Sequence, residues 1–146
     1  MKKFVAVIAA LFSAVGAVSA AEPEVGHAYI CLSEAGLPPV FVAIGKLENL
    51  SDHGIVGEGG TQRLVHLQLK GDGADFPVAG HAPFALETLN HCPSVSGDGM
   101  TLDRERLNDG YSVWLKAFHE QGAGFFTISP AEAYWMMLGV VDGEGQ

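Results

Sequence analysis

Basic residues are scarce in this chain. Eight Lys and Arg stand against 17 Asp and Glu in 146 residues, for a net charge of −9 with histidine neutral. A chain this acidic cannot neutralise a phosphate backbone, which excludes nucleic acid as the main partner. Cysteine is scarcer: Cys31 and Cys92 are the only two, and they form no CxxC pair. That excludes the zinc-ribbon and thioredoxin-type patterns. Past residue 20 no apolar run reaches the length of about eighteen residues that marks a membrane-spanning helix. The compact catalytic signatures are missing too. There is no G-x-S-x-G elbow, no GxxxxGK(S/T) and no GxGxxG, and His119-Glu120 is not continued to HExxH. The best-marked hydrolase, nucleotide-binding and metalloprotease classes fall away with them.

What is present suffices for a core. Hydrophobic residues make up 48% and charged ones 17%, a composition that folds rather than staying disordered. The length allows one domain. The first twenty residues, MKKFVAVIAALFSAVGAVSA, join a basic start at Lys2 and Lys3 to an apolar run and a small-x-small site at Val18-Ser19-Ala20. This three-part pattern predicts a secretory signal peptide over 1–20 and a single globular domain over 21–146. The apolar run is short for an anchor, so no membrane association is expected after cleavage. The mature chain then carries six basic residues against 17 acidic ones, a net charge of −11. An exported, periplasmic or secreted, location favours oxidation of the cysteine pair, so Cys31–Cys92 is expected as a disulfide. Closing a loop of that length stabilises a fold by about 4 kcal/mol through loop-closure entropy.

Along the mature chain, Val25 to Ser33 and the nearly continuous apolar run Val40 to Leu47 predict two strands, the second buried on both faces. Residues 48–61 have loop composition. Gln62 to Lys70 alternates Val65, Leu67 and Leu69 against Gln62, His66, Gln68 and Lys70, which predicts a strand with one wet side. Phe76 to Ala82 predicts an irregular segment or short edge strand. Pro83 predicts a helix start, with Ala85, Leu89 and Cys92 along one face. Leu107, Tyr111, Trp114, Leu115 and Phe118 recur with the strongest helical period in the chain, capped by Thr101 or Asp103 and stopped by Gly122. Ala123 to Ile128 predicts a short strand. Ser129-Pro130-Ala131-Glu132 then opens a last helix ending at Gly139. Strands first and helices later predict an α+β fold: a small, mainly antiparallel sheet with about three helices packed on one face.

The histidines His27, His53, His66, His81, His91 and His119 raise a metal reading. No pair has helical i, i+4 or alternating strand spacing, so surface or hydrogen-bonded structural roles are expected, with no cofactor. His81, in Gly80-His81-Ala82-Pro83-Phe84, reads as a turn residue. As a base it would need Asp72 or Asp75 to orient it and Ser94 or Ser96 to act on, and no spacing selects them. Tyr134 and Trp135 are adjacent and cannot both point straight inward, which makes Trp135 a candidate surface anchor.

Three function classes remain, one of them a purely structural or stress-related envelope protein. The first is a non-enzymatic acidic binding domain that meets a basic protein through loops 48–60 and 94–100. Its candidate contact residues are Asp52, His53, Glu58, His81, Asp98 and Trp135. In profile it is similar to periplasmic lysozyme inhibitors and immunity proteins, a likeness that assigns no residue a role. The alternative is a small hydrolase or metal-dependent enzyme using His81 or His66 with a nearby Asp. With no catalytic motif, the balance leans away from an enzyme.

Overall fold

The computed structural model describes residues 23–33, 36–54, 63–92, 94–95 and 100–139. The expected leader, residues 1–20, lies outside them. Among the described residues five strands form one sheet: β1 (Ala28–Cys31), β2 (Val40–Asn49), β3 (Arg63–Gly71), β4 (Val78–Ala85) and β5 (Ser94–Val95). Their order is β4-β3-β2-β1-β5, and every paired neighbour runs antiparallel. Short 3₁₀ helices follow β2 at Leu50–His53 and β4 at Leu86–His91. Two α-helices come last among the described residues, α1 (Arg104–Gln121) and α2 (Pro130–Met137). The fold is α+β. No helix among the described residues is long and apolar enough to cross a membrane.

The local signals for both α-helices act where the sequence places them. Asp103 caps α1, its side chain accepting from the Arg106 amide, and Gly122 ends the helix with φ +72. Ser129 caps α2 by accepting from the amides of Ala131 and Glu132, and Pro130 occupies the first turn.

The helices divide between the two faces of the sheet instead of sharing one. Val42, Ile44, Val65, Leu67, Leu69 and Phe84 point to the face covered by α2, where Tyr134 and Trp135 complete the main core. The other face of β3 meets α1, and Leu64 joins Leu50 and Trp114 in a second cluster. The expected wet side of β3 is therefore dry: His66 and Gln68 have no solvent exposure. Gln68 is satisfied by β4 and by Asp103, the N-cap of α1. Its amide donates to the Gly80 and Asp103 carbonyls, both at 2.9 Å, and its Oε1 accepts from the Asp103 amide at 2.7 Å.

Pro83 does not start a helix; it lies within β4. β4 is an edge strand, paired to β3 on one side, and the missing N–H of Pro83 faces away from that ladder. On the outer side the Pro83 carbonyl accepts from Phe126 at 2.9 Å, and the Phe126 carbonyl accepts from Ala85 at 2.9 Å. Phe126 makes one parallel bridge to Phe84, which is all that forms of the expected strand over 123–128. Cys31 and Cys92 are joined, tying β1 to the end of the second 3₁₀ helix across 61 residues.

Candidate functional site

Two irregularities in the sheet build the site. In β2, Gly45 is an extra residue: Ile44 opposes Leu67 and Lys46 opposes the next residue, His66. Side chains alternate along a strand, so one inserted residue turns everything after it to the other face. Lys46 and Glu48 thereby leave the face of Val42 and Ile44 and join His66 under α1. In β4, Gly80 and His81 together stand against the single residue Gln68, between the pairs Leu67–Ala82 and Leu69–Ala79. His81 comes to lie beside His66.

Glu48 is the hub. Its Oε2 lies 2.5 Å from His66 Nε2, and its Oε1 lies 3.0 Å from His53 Nε2 and accepts from the Tyr111 hydroxyl at 2.9 Å. Two histidine arms extend outward from it. His66 Nδ1 meets His81 Nε2 at 2.9 Å, and His53 Nδ1 meets His119 Nε2 at 3.3 Å. The Glu48 side chain is 7% exposed and that of His66 is fully buried. Aromatic rings wall the site. Tyr111 and Trp114 stand edge-on to His66 at 4.8 and 4.9 Å, and Phe118 stacks on Trp114 at 4.7 Å. Lys46 Nζ lies over the Tyr111 ring, 4.9 Å from its centroid.

The electrostatics follow from this packing. Burial pushes the Glu48 carboxyl up, but hydrogen bonds from His53, His66 and Tyr111 outweigh it and hold the group below its ordinary value. Burial lowers His66, against the pull of Glu48. Burial, then the neighbouring His66, brings His81 down to about 4. Burial and the Glu48 carboxylate raise Tyr111 to about 12. An ionised carboxylate only accepts, so His53 Nε2, His66 Nε2 and the Tyr111 hydroxyl all present protons to Glu48. In the neutral inner arm His66 Nδ1 then accepts from His81 Nε2–H, which leaves the His81 Nδ1 lone pair at the end of the chain.

Of the six histidines the fold gathers four, His53, His66, His81 and His119, and leaves His27 and His91 exposed elsewhere. Among the described residues no group of three or more His, Cys, Asp or Glu has the geometry of a metal site. The carboxylate behind His81 is Glu48, acting through His66, not Asp72 or Asp75. His81 is a strand residue within the network, not a turn residue. Of the other candidate contacts, Asp52 is exposed, with its Oδ2 accepting from the Asn49 amide at 3.2 Å. Glu58 and Asp98 lie outside the described residues.

Trp135 is 1% exposed and donates from Nε1 to the Pro38 carbonyl at 3.2 Å, so it is a core residue and not a surface anchor. Tyr134 is fully buried beside it, its hydroxyl bonded to the Pro77 carbonyl at 2.5 Å. The site residue that the sequence did not single out is Glu48; Tyr111 reads there only as a helix-face residue and His119 only as one of six histidines. Comparison with protein-family models, with curated proteins and with solved structures finds no match.

Proposed function

We propose that the chain is an exported acidic binding domain, periplasmic or secreted, that takes a cationic protein partner as inhibitor and immunity proteins do. The observation that carries this reading is charge: without residues 1–20, six basic side chains face 17 acidic ones. Such a surface steers basic partners toward it and repels anionic ones. The Cys31–Cys92 bond supports an oxidising compartment.

The glutamate–histidine network supports binding over hydrolysis. Its members are one Glu, four His and one Tyr, with no Ser, Thr or Cys nucleophile among them. A His81 held at about 4 is a weak base near neutral pH, and a Tyr111 at about 12 keeps its proton. The test is binding of the disulfide-bonded protein to a panel of basic exported proteins, lysozymes included, at about 20 mM and about 500 mM salt. Capture at low salt that is lost at high salt is expected. No capture, or capture indifferent to salt, overturns the reading.

A second reading, a small hydrolase, draws support from the Glu48–His66–His81 chain, which orients the His81 lone pair as a carboxylate–histidine pair orients a general base. Turnover of ester or cell-wall substrates that disappears in His81→Gln would establish it. No turnover in the native protein retires it.

A further inference from the structure

The outer histidine arm differs from the inner one in reach and in access. His66 is fully buried and His81 part-buried, 2.9 Å apart, beside Tyr111 and Trp114. His53 and His119 face each other at 3.3 Å, with His119 exposed and the His53 side chain 10% exposed. The spacing is long for a nitrogen–nitrogen hydrogen bond. It matches two imidazole nitrogens on one tetrahedral ion: with bonds of about 2.0–2.1 Å, the two nitrogens stand about 3.3–3.4 Å apart. We propose that His53 Nδ1 and His119 Nε2 form a two-point binding site for a divalent first-row transition metal such as zinc or copper, with water in the remaining positions.

Three observations support the assignment. First, Glu48 Oε1 lies 3.0 Å from His53 Nε2, so the nitrogen opposite the site is tied to a carboxylate. A ligating histidine is commonly oriented this way, and the bond leaves a lone pair on Nδ1. Second, the His53 ring is held in place before any ion arrives, with Phe118 edge-on at 5.6 Å and Trp114 edge-on at 6.4 Å. Third, Asp52 and Glu120, the chain neighbours of the two ligands, are exposed, and the chain as a whole is strongly acidic. Both raise the local concentration of cations.

Proton bookkeeping is simple. A neutral pair releases no proton on binding, because His119 keeps its single proton and moves it from Nε2 to Nδ1 through solvent. With two protein ligands the site stays open, which fits the lack of any three-ligand group among the described residues. Imidazole ligation follows the usual order of affinity, so copper(II) binds more tightly than zinc. The site is independent of the basic-protein reading: a protein partner can fail to bind while the metal still does.

The test uses the disulfide-bonded protein, stripped of metal and titrated with zinc against a chromophoric chelator. One equivalent is expected to bind. His119→Gln and His53→Gln are each expected to weaken it by about tenfold or more, while His27→Gln and His91→Gln leave it unchanged. His119 is exposed, so its substitution spares the fold, which circular dichroism checks. With copper(II), nitrogen hyperfine structure in the electron paramagnetic resonance spectrum should fall from two nitrogens to one in His119→Gln. No zinc retained against the chelator, or the same affinity and the same spectrum in His119→Gln, overturns the proposal.

Discussion

Gly110 of α1 lies so close over His81 of β4 that a Cβ on the glycine would stand 2.5 Å from the His81 Cβ. Replacing a glycine inside an exposed helix with alanine ordinarily stabilises by about 1 kcal/mol. Here the sign reverses, because both atoms in the contact are fixed to backbone and neither can swing aside. Relief requires α1 to lift, which pulls Tyr111 from Glu48, where it bonds at 2.9 Å. Gly110→Ala should lower stability by about 1–3 kcal/mol in denaturant unfolding. A stabilised variant would mean that α1 does not seat on β4 as described.

Glu48 accepts from three donors, and what replaces it decides which of them are stranded. Alanine leaves Nε2 of the fully buried His66 without its partner, at a cost of about 1–3 kcal/mol per orphaned group. Glutamine should cost less than alanine. Its remaining oxygen can still accept from Tyr111, and its amide can donate to His66 if the neutral His66–His81 pair reverses tautomers. Nitrogen NMR of the imidazoles reads this directly: His66 carries its proton on Nε2 in the native protein and on Nδ1 in Glu48→Gln. An unchanged tautomer would remove Glu48 from its place as hub.

Why this cluster was hard to read lies in the strand register. The helices announce themselves through caps and period, as at Asp103, Ser129 and the Leu107–Phe118 face, and the α+β class follows from element order. The polar side of β3 was legible as a set, but not the helix that covers it. Glu48 sits on what reads as a loop, and only the extra residue Gly45 turns it toward His66. A glycine in an apolar run does not declare a bulge. Close packing of α1 accounts for the glycine: a Cβ on Gly45 would stand 2.3 Å from Leu107 Cδ2. The partners of Glu48 are 5, 18 and 63 residues away, separations that no spacing rule samples. Pro83 misled for a related reason, since an edge strand tolerates it as well as a first helical turn does.

Stability should fall on mild acidification, and the sign follows from the two inner histidines. Their ordinary value is 6.5, and in the fold His66 lies below it and His81 at about 4. As pH drops through 6.5 the unfolded chain takes up protons that the native state refuses, and the loss continues until the folded groups titrate. Glu48 adds a second loss at lower pH, because its folded value lies below its ordinary 4.5. Above pH 6.5 these groups contribute no slope. Melting temperatures from about pH 8 to about pH 4 should be flat, then decline, and His81→Gln should make the decline shallower. A native protein equally stable at pH 7 and pH 5 would contradict this.

Trp135 separates a core role from a docking role cleanly. Its ring meets Phe76 and Tyr134 edge-on, both at 4.9 Å, and its Nε1–H reaches the Pro38 carbonyl. It also bears on β3, where a Cβ on Gly71 would come within 3.0 Å of the indole Cη2. Trp135→Ala should cost about 3–5 kcal/mol, from lost burial and the cavity left behind. Trp135→Phe should cost less, retaining much of the apolar contact while losing the hydrogen bond. For a surface anchor the pattern inverts: stability would hold in both variants and affinity for a partner would fall. Denaturant unfolding of the two variants, set beside partner binding of Trp135→Phe under conditions where it stays folded, decides between these patterns.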